Sequence, residues 1–263
     1  YGVIQYMRTE SLFASRSFGF GERLLSAPYV LLDYTRQFYL PVIAKMGVIH
    51  DDYPLSGPTH HAWNFGLGVL FLVAIFGLIL RAVKRCCQDT LAYGLSFFLI
   101  GHSIESFYLP LELYFEHRNY LPSIGLALAI VPLAEFFSRA QGYRKYLGLI
   151  LGCVYLASLA ASTLVLISHW RTPTALLSHH LSGHPRSARA NADYAWIAAM
   201  AGDVKKAKLH LELANRFSLG EPASAPFGSG DRVLQRVIVA CLSGGSFEKE
   251  LQGGVHSERR RQL

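Results

Sequence analysis

The 263-residue chain is 51% hydrophobic and only 16% charged, with a mean hydropathy of +0.26, where soluble domains average roughly 25% charged. Lys and Arg number 25 against 18 Asp and Glu, a formal net charge of +7. This excludes a disordered chain and argues against an ordinary water-soluble enzyme; because the basic residues border apolar runs, the charge points to a membrane surface and not to nucleic acid.

The chain begins at Tyr1 without a charged leader and is expected to be the C-terminal part of a longer protein. Cys86, Cys87, Cys153 and Cys241 have no metal-type spacing. Residues 22–46 read as a helix that Pro41 closes, either a further span or an in-plane amphipathic helix, with Asp33 and Arg36 three apart and able to pair. Four apolar stretches follow at 63–80, 91–111, 120–137 and 146–168, each near the roughly 17–25 residues that cross a bilayer. The second carries His102 and Glu105, three apart on one helix face at membrane depth, where ionisable groups are costly and tend to be functional.

Basic residues set an orientation. Arg81, Lys84, Arg85, Arg139, Arg144 and Lys145 flank one side of the spans, and Lys45 and Arg118 the other. Six against two assigns the first side to the cytoplasm and the remaining loops to the outside. Charge, Gly and Pro return after Trp170. Residues 188–219 read as two helices about a Gly202-Asp203 turn, the second running through Ala207, Leu211 and Ala214, with the small Ala207 and Ala214 allowing close approach, the pattern of a tetratricopeptide hairpin. Residues 169–185 would supply a preceding helix and 231–254 a following one, while the charged run 256–261 reads as a solvated tail. The expected fold is all-α: a polytopic transmembrane helix bundle over 1–168, then a small tetratricopeptide-like helical domain over 169–263.

The outward loops hold the candidate chemistry. His50, Asp51 and Asp52 lie before Pro54, and His60 and His61 before the first span; acids and imidazoles there form a candidate divalent-metal set. Glu112, Glu116, His117, Arg118, Asn119 and Tyr120 lie between the second and third spans. Arg118 offers a fixed fork of donors suited to a phosphate. No nucleotide-binding fingerprint, phosphate loop or nucleophile elbow is present, which favours a substrate delivered by the membrane.

The stretch from Leu109 to Gly125 resembles the last membrane portion of bacterial multi-span proteins with periplasmic tetratricopeptide repeats, grouped with GT-C glycosyltransferases. Glu116, Arg118, Tyr120, Pro122, Ser123 and Gly125 also match a signature of the eukaryotic transmembrane and repeat-containing protein O-mannosyltransferases, with His117 inserted between the acid and the Arg. The stretches 50–55 and 184–190 are similar to that family's outward loop and to its entry into the repeats. The resemblance implies a polyprenyl-phosphate-linked sugar donor, inverting transfer at the periplasmic face of a bacterial inner membrane, and a protein or glycan acceptor recruited by the repeats. It places the family's catalytic acid upstream of residue 1 and leaves Glu116, Asp51 and Asp52 as the candidates within this chain. Arg118, His117, Asn119, Tyr120, His102 and Glu105 become the expected lipid-phosphate and substrate contacts. Two other classes fit the same residues: a non-catalytic membrane-anchored repeat protein, and a lipid-linked glycan polymerase or ligase.

Overall fold

A computed structural model describes residues 18–85, 89–107 and 111–218, and within its helices leaves the side chains of residues 85, 104, 105 and 107 undescribed. The described residues are all helical, without strands: α1 (Phe20–Tyr39), α2 (Ala62–Arg85), α3 (Thr90–Phe107), α4 (Ser123–Arg139), α5 (Tyr143–His169), α6 (Pro173–Gly183), α7 (Ala188–Met200) and α8 (Val204–Phe217). Short 3-10 turns lie at Ile43–Lys45 and Glu116–Asn119. They form two compact units, one of Gly21–Met46 with Pro54–Ser168, the other of residues 18–20, Gly47–Tyr53 and 169–218. The second unit therefore takes in a short strap from before the first long apolar helix, where the sequence suggested a boundary at 168/169.

In the larger unit, two helices are long and apolar enough to cross a membrane, Ala62–Lys84 of α2 and Tyr143–His169. The core helix of a soluble protein hides such a stretch; here only 17% of the α2 window is buried, and none of α5. The other two expected spans are α3, of 18 residues, and α4, of 17, both with helices against them. α3 lies against α2 and α4. Its contact with α4 depends on glycine: a Cβ on Gly94 would stand 2.5 Å from the Gly125 carbonyl oxygen, and one on Gly125 would strike the Gly94 carbonyl in turn. Small residues let helix backbones approach this closely. Gly68 of α2 approaches α1 in the same way, its Cβ site 2.5 Å from the Tyr29 nitrogen. α1 stops before Pro41, as its sequence requires, and its Asp33 and Arg36 stand 4.0 Å apart.

The smaller unit is built by capping. Thr172, Ser187 and Asp203 each accept a hydrogen bond from the backbone N–H three residues on, and so open α6, α7 and α8. Gly202, at φ 81°, makes the left-handed turn between α7 and α8. Ala195, Ala198, Ala199, Ala207 and Leu211 form the buried seam of that hairpin, with Ala214 at its end. The helical hairpin read from residues 188–219 is thus present through Phe217, with α6 before it. The following helix expected at 231–254 and the charged run 256–261 lie outside the described residues.

Candidate functional site

Tyr34 organises the larger unit's polar interior. Helical spacing turns it inward from α1, 3% exposed, and its ring stacks on His102 of α3 (centroids 4.8 Å apart) and on Tyr114 (4.7 Å). Its hydroxyl donates to the Phe115 carbonyl (3.0 Å) and accepts from the Phe115 N–H (2.9 Å). Arg23 of α1 adds donor contacts to the carbonyls of Leu111 and Glu112. The segment 111–119 is therefore fastened to α1 through its own backbone, the part of a loop that otherwise needs water.

Asn119 closes the arrangement. Its Nδ2 donates to the Tyr34 carbonyl (3.3 Å), which turns its Oδ1 toward His102 Nε2 at 3.1 Å. An amide oxygen only accepts, so His102 carries its proton on Nε2 here. Both side chains are buried, His102 at 2% exposure. Burial drives the Tyr114 phenol well above its ordinary pKa, and the negative charge of Glu116 adds to the effect. Tyr114 is thus a neutral phenol at physiological pH.

Two cavities flank this core. One, of about 340 Å³, is lined by Tyr34, Gln37, Tyr114, Glu116, Asn119 and Tyr120, among others, with Ser162 and Thr163 of α5 opposite. The second, of about 520 Å³, is almost wholly apolar, lined by residues such as Leu31, Leu72, Phe76 and Leu99, with His102 at its edge.

The structure divides the residues expected to act together. His102 and Asn119 touch; Glu116, Asn119 and Tyr120 share the first cavity. Arg118 is not among the lining residues: its Nη1 donates to the Glu112 carbonyl at 2.6 Å, and its guanidinium lies 5.4 Å from the centroid of the Phe115 ring. His117 is exposed and meets Phe115 edge-on at 4.4 Å. Glu105 lies on α3, but its side chain is outside the described residues.

Asp51 and Asp52 belong to the smaller unit. Asp51 accepts from the Ser187 hydroxyl and, at 3.1 Å, from the Arg189 N–H, so it anchors the first turn of α7. Asp52 Oδ1 stands 2.7 Å from His184 Nδ1. Both acids sit in a turn before Pro54, closed by the Tyr53 N–H on the His50 carbonyl at 3.2 Å, and their side chains reach partners some 130 residues along the chain. His60 and His61 are exposed ahead of α2, His61 at a left-handed φ of 49°. Among the described residues no three His, Cys, Asp or Glu side chains gather to hold a metal.

Sequence reasoning passed over Tyr34, Gln37 and Arg23, which lie in a helix where it singled out only the apolar residues and the Asp33–Arg36 pair. It also passed over a set of imidazoles in the smaller unit. His50 of the strap, 4% exposed, stacks on His184 at 4.7 Å. His180 Nε2 accepts from the Val48 N–H at 3.3 Å, and its ring fills the space a Cβ on Gly47 would need. Burial, together with the neighbouring imidazoles, holds His50 down to a pKa of about 3 and His180 to about 4. Comparison of the chain with protein-family models, with curated proteins and with solved structures finds no match.

Proposed function

We propose that the chain is the C-terminal portion of a GT-C-type integral-membrane glycosyltransferase that moves a sugar from a polyprenyl-phosphate donor to a protein or glycan acceptor. In this reading all four apolar helices cross the bilayer, the basic loops face the cytoplasm, and the 111–120 segment and the tetratricopeptide-like unit face the periplasm. The observation that carries it is the cavity bordered by Glu116, Asn119 and Tyr120, which belong to the block that resembles the O-mannosyltransferase signature.

The chemistry asked of these residues is limited. An acceptor hydroxyl attacks the anomeric carbon from the face opposite the phosphate. The bond from that carbon to the phosphate oxygen breaks, and its electron pair leaves with the phosphate. The hydroxyl proton passes to a carboxylate, for which Glu116 is the candidate this chain contributes. Arg118, one residue before Asn119, supplies the fixed cation that stabilises the negative charge developing on the departing phosphate.

A second reading rests on a specific observation. The bond from Arg118 to the Glu112 carbonyl and its place over the Phe115 ring brace the loop, which suits a non-catalytic membrane anchor whose repeats recruit partners. Turnover with lipid-linked sugars separates the two. Losing one charged hydrogen bond costs about 1.5–3 kcal/mol, so Arg118→Ala should lower transfer tenfold to a hundredfold or more, with Arg118→Lys between it and the parent. Parent-like turnover in Arg118→Ala at limiting donor would make Arg118 a brace. Products longer than one added sugar would favour a polymerase.

A further inference from the structure

We infer that the apolar cavity walled by α1, α2 and α3 holds one acyl chain of a bilayer phospholipid as a resident part of the fold. This rests on the membrane reading of these helices and on none of the transfer chemistry.

The cavity exists because of what α3 puts on its two faces. One face, with Gly94, Phe98 and Gly101, closes on α4: a Cβ on Gly101 would stand 2.9 Å from the Pro122 ring, and Phe98 is wholly buried. The other face, with Ser96, Leu99, Ile100, Ser103 and Ser106, recurs at helical spacing and lines the cavity. Three of these five side chains are short serines, and α1 answers them with Ala27 and Pro28. The space left between the helices is about 520 Å³.

Water does not suit this space. His102 spends its Nε2 proton on Asn119, and Ser103 donates to the Ile100 carbonyl at 2.7 Å. The rest of the wall is mostly hydrocarbon, and apolar cavities stay dry and take up apolar guests.

Reach and width select a single chain. The α3 lining runs from Ser96 to Ser106, about 15 Å at 1.5 Å per residue. That is half of the roughly 30 Å hydrocarbon core, the depth of one leaflet. Spread over that length, the volume gives a cross-section of about 35 Å², a channel about 7 Å across. A helix with its side chains needs roughly 10–12 Å, so a helix from a second copy does not enter. Leu24, Phe76 and Ile100 line the cavity and are also exposed. It therefore opens sideways, toward the chains of the bilayer.

The occupant is an acyl chain and not the donor's prenyl tail. The two cavities share no lining residue, and His102 stands in the wall of one while its partner Asn119 stands in the wall of the other. A tail running from a phosphate at residues 111–120 has no common wall to follow into the apolar space. A polyprenyl chain is also several times longer than a leaflet is deep and would leave most of itself outside.

The test uses the full chain in nanodiscs of phosphatidylethanolamine and phosphatidylglycerol, with a trace of phosphatidylethanolamine carrying a diazirine on one acyl chain. After irradiation, peptides covering 24–31 and 96–103 should carry at least fivefold more label than those of α5, none of whose apolar window is buried. Native mass spectrometry of the released chain should retain one phospholipid. Ser103→Phe fills the cavity from α3 and should cut the labelling of 24–31 at least fivefold, with α5 labelling unchanged. Should Ser103→Phe unfold, Ala27→Phe fills the cavity from α1 and should do the same to 96–103. Equal labelling of the cavity peptides and α5, or labelling unchanged in the filled variants, would overturn the inference. So would loss of the label to excess polyprenyl phosphate, which puts the prenyl tail there, or cross-linked pairs of chains without a lipid adduct, which put a second copy there. Recovery of the chain outside the nanodiscs would overturn the membrane reading itself.

Discussion

Acid should release the strap of residues 47–53 from the helices it crosses. Ile49 of the strap is buried with Leu177 and Ala190, and His50 is packed as a neutral ring. Facing it are His184 by stacking, Asp52 within the strap, His180 of α6, and the Arg189 guanidinium near His180. His50 has a pKa of about 3 when packed against 6.5 when free; at about 1.4 kcal/mol per unit this is on the order of 5 kcal/mol across the whole window. Because the packed value is the lower one, the free strap binds the proton. The clasp is therefore at full strength above pH 6.5 and weakens as pH falls toward 3. Between pH 7.5 and 4.5 the loss from His50 is about 3 kcal/mol, or roughly a hundredfold in the opening equilibrium. Hydrogen exchange of peptides covering 47–53 and 177–191, corrected for intrinsic rates, reads this opening directly. His50→Phe keeps the stacked ring and removes its titration, so about half of the pH dependence should vanish, the rest coming from His180, while protection at pH 7.5 persists. Exchange that is independent of pH in the parent, or an equal pH slope in His50→Phe, would refute the reasoning.

Two further outcomes are expected. Ala207 is fully buried in the α7–α8 seam, so Ala207→Leu should overpack it by about 1–3 kcal/mol and expose α7 and α8 of the intact chain to limited proteolysis; an unchanged digestion pattern would show that the seam yields freely. In a background lacking the native cysteines, probes at 115 and 200 should label from outside the cell and one at 84 only from inside. Labelling of 84 and 200 from the same side would defeat the proposed orientation.

The helices were readable because each is an uninterrupted apolar run or opens on a capping residue. Their ends moved by a few residues, as at α4, which opens at Ser123 where the apolar run was read from 120. What could not be read was which way successive loop residues turn. Residues 116–119 form a 3-10 turn, where each step rotates the side chain by about 120°. Arg118 thus swings onto Glu112 and Phe115 while its neighbour Asn119 enters the interior, and treating them as one patch lost that difference. The strap was missed for another reason. Its partners lie some 130 positions away, and a pairing at that distance leaves no local periodicity. Gln37 carried no signal either, since a lone amide in an apolar helix announces nothing until its neighbours are known.

The bond between His102 and Asn119 also sets an order of synthesis. His102 sits on α3, yet the amide that satisfies it is 17 residues further on, in the segment held by Tyr34. A nascent chain that has produced α3 and no more carries an imidazole with no amide to meet it. Gly94 likewise waits for Gly125, without which the α3 backbone has no surface shaped to receive it. Helix α3 therefore completes its environment only after α4 has begun to emerge. A chain truncated before Asn119 would leave His102 without its amide, whereas one extended past 129 would contain Asn119, Gly125 and Ala129, the groups described against His102 and Gly94.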